Sequence, residues 1–127
     1  MVGVTTSRER LERRGWDVVY VPHAEIEAYN ACYRVEYDGE RIYPPAADDL
    51  EIPLDEIWIS ERWRPYERFV LYHELREIEY RARGDSVEEA HRNAERDELA
   101  LWRHNPRWKQ MNEAFGVGRE HLSHPTD

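Results

Sequence analysis

A chain of 127 residues can bury one hydrophobic core and is too short for two domains. Charged residues make up 35% of it, but 12% aromatics, five Trp and eight Tyr among them, supply the apolar surface that disordered chains lack. A formal net charge of −9 argues against a broad nucleic-acid surface, which concentrates positive charge.

The opening segment, MVGVTTSRERLERRGW, has no apolar stretch of the signal-peptide kind, and no run approaches the roughly 18 apolar residues of a membrane span. Within it SRERLERR, Ser7 to Arg14, reads as one or two helical turns ending at Gly15. Trp16 to Val21 is β-branched and aromatic and stops at Pro22, a first strand. His23 to Asn30 reads as a short helix or loop. Cys32 to Tyr37 alternates as a strand, Asp38-Gly39 signals a tight turn, and Arg41 to Tyr43 returns as the hairpin partner. Cys32 is the one cysteine, which excludes an intrachain disulfide and a Cys-rich zinc site and fits a reducing, cytoplasmic setting. Pro44 through Asp49 is expected to be a loop, and Glu56 to Ser60 a further short strand.

The period then changes from two to about 3.6. Pro65 suits a helix start, and Leu71, Leu75, Ile78 and Ala82 form the buried stripe of a helix to about Arg83, stopped by Gly84. Ser86 and Glu89 have capping-box spacing, and Val87, Ala90, Ala94 and Leu101 give the stripe of a second helix ending near His104. So short a connection predicts an antiparallel helical hairpin. Asn105-Pro106 ends it, and Trp108, Met111 and Phe115 suffice for one docking helix before a polar tail. The expectation is a single α+β domain over 1–127, with a small antiparallel β-sheet packed against an antiparallel helical hairpin. Residues 1–60 are mainly β, 61–104 form the hairpin, and 105–127 a short helix and mobile tail.

The chemistry concentrates between Tyr72 and Glu98. His73 and Glu77 stand four apart on one predicted helix, His91 and Glu95 four apart on the next, so each helix offers an imidazole and a carboxylate on one side. A turn centred near Gly84 sets 73 opposite 95 and 77 opposite 91, a His facing a Glu in both pairs. Two His and two carboxylates converging between helices form a ligand set for zinc, or for iron or manganese if more oxygen ligands join. Glu88 gives the Glu-x-x-His spacing of di-iron bundles, which need more such helices than this chain has. His73 and Glu77 lie opposite the apolar stripe and so face a cleft, with Glu74 at its edge, placed to accept a proton from activated water. The same pattern also arises in a merely solvated face of ion pairs.

This segment resembles a known family. EIWIS followed by a polar link and RFVLYHELREIEY is similar to the zincin metallopeptidase layout, in which an edge strand precedes a helix carrying His-Glu-x-x-His. Arg-Phe-x-x-x-His-Glu-Leu is similar to small zincin-like proteins related to phage-repressor-cleaving metallopeptidases. Here the second motif His is replaced by Glu77. The resemblance, over residues 56 to 100, implies His73 as first metal ligand, Glu74 as general base, Glu77 in the second ligand's place, and a third ligand from the next helix. His91 is preferred for that place, with Glu88, Glu89 and Glu95 behind it.

The leading expectation is therefore a minimal zincin-like, metal-dependent hydrolase of peptide or amide bonds. It would hold zinc (Zn2+) or another divalent metal, with His73, Glu77, His91 and Glu95 as the metal set and Glu74 catalytic. Tyr72 and Tyr80 flank the site and are candidates to orient a carbonyl. The alternative is a non-catalytic acidic interaction or inhibitor protein of viral or mobile-element origin, its His/Glu cluster structural. Trp63 and Trp108, in polar company, would then anchor the partner. A third reading is a metal that only stabilises the hairpin. His23, His104, His121 and His124 show no partner pattern, and Cys32 reads as a small buried hydrophobe.

Overall fold

The computed structural model describes residues 6–26 and 29–115. Its elements in chain order are α1 (Ser7–Arg13), β1 (Asp17–Val21), α2 (His23–Ile26), β2 (Ala31–Tyr37), β3 (Glu40–Ile42), α3 (Ala46–Leu50) and β4 (Glu56–Ser60). A 3-10 segment (Glu61–Tyr66) then leads into α4 (Glu67–Ala82), α5 (Val87–Trp102) and α6 (Pro106–Phe115). The fold is α+β, as composition and periodicity predict. The polar tail beyond 115, with His121 and His124, lies outside the described residues.

The four strands form one sheet in the order β1-β4-β2-β3. Asp38 and Gly39 take φ of 50° and 88°, the left-handed pair that closes a two-residue hairpin, and β2 and β3 pair antiparallel with Val35 opposite Ile42. β4 pairs antiparallel with β2, Cys32 opposite Trp58. On its other edge β4 runs parallel to β1, Val19 opposite Trp58, so the sheet is mixed where the sequence predicted an antiparallel one. The physical reason is the connection: the β2-β3 hairpin and α3 intervene between β1 and β4, long enough for a crossover that returns the chain in the same direction.

The second correction falls on Pro44–Asp49, expected as loop. Ala46–Leu50 is a short helix ended by Glu51 in the left-handed region at φ 57°. Ala47 is buried, and Arg34 of β2 donates to the Ala47 and Ile52 carbonyls at 3.2 and 2.7 Å. That helix and α2 pack Ala47 and Ile26 against Val21, Cys32 and Ile52 in a cluster on one face of the sheet. The alternate residues of the strands, Tyr33, Val35, Ile57 and Ile59, join Leu71, Leu75 and Ile78 of α4 in the larger core on the opposite face.

Trp63 and Trp108, expected as exposed anchors, are 1% and 6% exposed and belong to that larger core. The 3-10 segment and α6 turn their indoles inward. Trp58, expected in the core, is half-buried against the smaller cluster. Leu101, assigned to the buried stripe of α5, is exposed, and the buried positions of that helix are Ala90, His91, Ala94 and Glu98. No helix among the described residues is long and apolar enough to cross a membrane.

α5 begins in a complete capping box: the Ser86 hydroxyl accepts from Glu89 N–H at 3.1 Å, and Glu89 Oε1 accepts from Ser86 N–H at 2.9 Å. Ser86→Ala should lower stability by about 1 kcal/mol, the usual cost of an N-cap. In urea unfolding the midpoint should move down with an unchanged slope.

Candidate metal centre

α4 and α5 are joined by a turn of four residues whose Gly84 takes φ 113°, a conformation open to glycine and strained for other residues. The chain doubles back there. Small side chains at Ala90 and Ala94, both fully buried, let α5 approach α4 closely. Beside the site the helices are clamped by Asp97, whose Oδ2 accepts from Arg76 Nε at 2.9 Å and from the Tyr80 hydroxyl at 2.8 Å. Trp102 closes one end, edge-on to Phe69 and Tyr72 at centroid distances of 4.9 and 4.6 Å.

Between the helices three of the four predicted ligands converge. His73 Nε2 lies 3.3 Å from Glu77 Oε1, and His91 Nδ1 lies 3.5 Å from that same oxygen. One ligand atom from each of His73, Glu77 and His91 falls within 4.8 Å of the others, and all three residues are buried. A tetrahedral zinc with bonds of about 2.0–2.1 Å holds its ligand atoms roughly 3.3–3.4 Å apart. The two spacings around Glu77 match that requirement, and two imidazole nitrogens with one carboxylate oxygen are a donor set zinc accepts.

Glu95 does not join the triad. It stands on the rim, Oε2 3.7 Å from His91 Nε2, with its side chain 23% exposed. Glu88 and Glu89 are exposed, and Glu89 is engaged in the cap. The predicted pairing of 73 with 95 is replaced by a pairing with Glu98, whose Oε1 meets His73 Nδ1. Sequence reasoning missed Glu98, although it stands seven residues after His91 and hence on the same helix face. It also missed Tyr33 of β2, whose hydroxyl donates to Glu77 Oε2 at 2.7 Å, a partnership no local spacing announces. Tyr80 is taken up by Asp97 and Arg76, and Tyr72 packs on Trp102, so neither stands as a free donor at the ligand atoms.

The expected open cleft is absent from the ligand face of α4: His73, Glu74 and Glu77 are all within 2% of full burial. The helix is enclosed by the sheet on one side and by α5 on the other, so the face opposite the apolar stripe is covered too. A cavity of about 150 Å³ borders the elements that carry the site, lined by Ala31 and Cys32 of β2, Pro44, Ala46 and Val87. Val87 lies one helical turn before His91, and Ala31 and Cys32 immediately precede Tyr33.

Burial dominates the electrostatics. It pushes the Glu74 carboxyl up to about 8, reinforced by the Glu77 carboxylate. Glu74 Oε1 is enclosed and has no hydrogen-bond partner among the described residues. Burial alone would depress His73, but the Glu98 and Glu77 carboxylates outweigh it and hold the imidazolium form well above its usual range. The Tyr33 phenol is raised well above its ordinary value by burial and by Glu77 and Glu74. Cys32 is raised strongly by burial, which leaves it a thiol, as its role as a small hydrophobe requires.

A comparison with known proteins finds no match to any family model, curated protein or solved structure.

Glu74 and His73 both bind protons more tightly in the fold than in the unfolded chain, so their contribution is complete at low pH and is lost as pH rises. For Glu74 the loss runs from the ordinary carboxylate value up to about 8. In chelator, the protein should therefore melt at a lower temperature at about pH 8.5, above that window, than at about pH 6, where part of the contribution remains. Glu74→Gln should shrink the difference. Zinc should reverse it, because metal binding displaces protons and strengthens with pH.

Proposed function

We propose that the chain is a minimal zinc-dependent hydrolase of the zincin kind, acting on a peptide or amide bond. One observation carries the reading: His73 Nε2 and His91 Nδ1 stand 3.3 and 3.5 Å from a shared Glu77 oxygen, the separations of atoms on one tetrahedral ion. Charge supports it as well, since three carboxylates, Glu74, Glu77 and Glu98, are buried beside two imidazoles and a divalent cation would balance the excess.

His73, Glu77 and His91 would hold the ion. A bound zinc would supply Lewis acidity, polarising a carbonyl and lowering the pKa of water. Tyr33, by donating to Glu77 Oε2, leaves Oε1 as the oxygen turned toward the two imidazoles. Glu74 is the general base: its carboxylate takes a proton from water and returns it to the leaving amine. A carboxyl held near 8 in the ion-free protein is ionised once a neighbouring cation favours its charged form.

A second reading, a zinc that only staples α4 to α5, is favoured by the near-complete burial of the triad. The interaction-protein reading loses its two tryptophan anchors to the core.

Elemental analysis of the purified protein should find about one zinc per chain, lost in a His73→Ala, His91→Ala double variant. Glu74→Gln should keep the metal and lower peptide hydrolysis by about 10²–10⁴-fold, the range of general-base catalysis. Zinc content without hydrolysis, together with a chelator-induced fall in melting temperature, would select the staple. A protein that takes up no zinc would remove both metal readings.

A further inference from the structure

We propose that Glu98 is the positioning residue of this centre: it holds His73 with the proton on Nδ1 and so presents Nε2 to the metal. The inference rests on the metal-centre reading above and adds to it a residue that acts through a ligand without being one.

An imidazole can give only one nitrogen to a metal while the other carries a proton, and the hydrogen bond made by the second nitrogen decides which is which. In His73 the two nitrogens face different partners. Nε2 is the one 3.3 Å from Glu77 Oε1, the same oxygen that His91 Nδ1 approaches at 3.5 Å. Nδ1 is the one that meets Glu98 Oε1. Glu98 therefore meets the ring nitrogen that Glu77 does not, and it is not one of the three residues whose ligand atoms converge.

The placement of Glu98 is matched to His73. It is 1% exposed, and a buried carboxylate costs several kcal/mol unless it is compensated. Among the described residues its sole hydrogen bond goes to His73, and Oε2 has no partner. Its neighbour Asp97 behaves differently, spending its carboxylate on Arg76 and Tyr80, which is the clamp between the helices. Two consecutive acidic residues thus divide the work: Asp97 ties the hairpin, and Glu98 orients a ligand. A carboxylate on Nδ1–H also makes Nε2 more basic and so a better donor to zinc.

The test is the zinc affinity of the full chain, measured by competition with a chelating dye, for wild type, Glu98→Ala, Glu98→Gln and Asp97→Asn. Glu98→Ala should weaken zinc binding by about 10–100-fold, the usual cost of losing such a partner. Glu98→Gln should recover part of the loss, because the amide oxygen still accepts from Nδ1–H. Asp97→Asn should lower the melting temperature and change zinc affinity far less than Glu98→Ala does. In the zinc-loaded wild type, nitrogen-15 correlation spectra of the His73 ring should show a protonated Nδ1 and a metal-bound Nε2.

Wild-type affinity in Glu98→Ala, or zinc on Nδ1, would overturn the role of Glu98 while leaving the centre standing. Wild type that binds no zinc would instead remove the centre, and this inference with it. Should Glu98→Ala fail to fold, Glu98→Gln and the ring spectrum still decide the matter.

Discussion

Two imidazoles and three carboxylates share one desolvated space between α4 and α5, and the rest of the structure is arranged around the cost of keeping them there. Each buried charge costs several kcal/mol unless partners replace the lost water. The replacement comes from three directions: Glu98 on His73, Tyr33 on Glu77, and the triad's own close approach. Removing one partner would leave an uncompensated group in low dielectric, which is costlier than the pair itself was favourable. Such a cluster demands helices held at fixed separation.

That separation is set by features unrelated to chemistry. Gly84 permits the reversal, Ser86 starts α5 without a wasted turn, and Ala90 and Ala94 allow close packing. Asp97 then locks the register through Arg76 and Tyr80. The sheet contributes more than a platform: β2 carries Val35 into the core beneath α4 and, two residues earlier, delivers the Tyr33 hydroxyl to Glu77. Core packing and the geometry of the site are thus fixed by the same strand.

Much of this is legible in the residues. The hairpin turn at Asp38-Gly39, the strand Glu56–Ser60 and the capping box at Ser86 follow from local rules, and the structure reproduces them. His73, Glu77 and His91 were legible as a set because helical periodicity aligns each and a short turn brings the helices together. Glu95 was misplaced and Glu98 overlooked for one reason. Matching heights across a turn treats side chains as level with their backbones, whereas each leans toward its own helix N-terminus. In a doubled-back pair His73 and Glu98 lean toward each other. The cleft was misjudged because a wheel shows which face is polar, and says nothing of what covers that face.

The sequence by itself determined most of the elements, the α+β class and the identity of three converging side chains, since periodicity, capping and turn chemistry act over a few residues. Only the tertiary structure decided that β1 runs parallel to β4, that Trp63 and Trp108 turn inward, and that Tyr33 and Glu98 complete the site. Those outcomes join residues some 25 to 44 positions apart in three of the cases, distances over which no local pattern constrains the chain. They are settled by which arrangement covers the sheet on both faces and gives the buried His73 and Glu77 their partners.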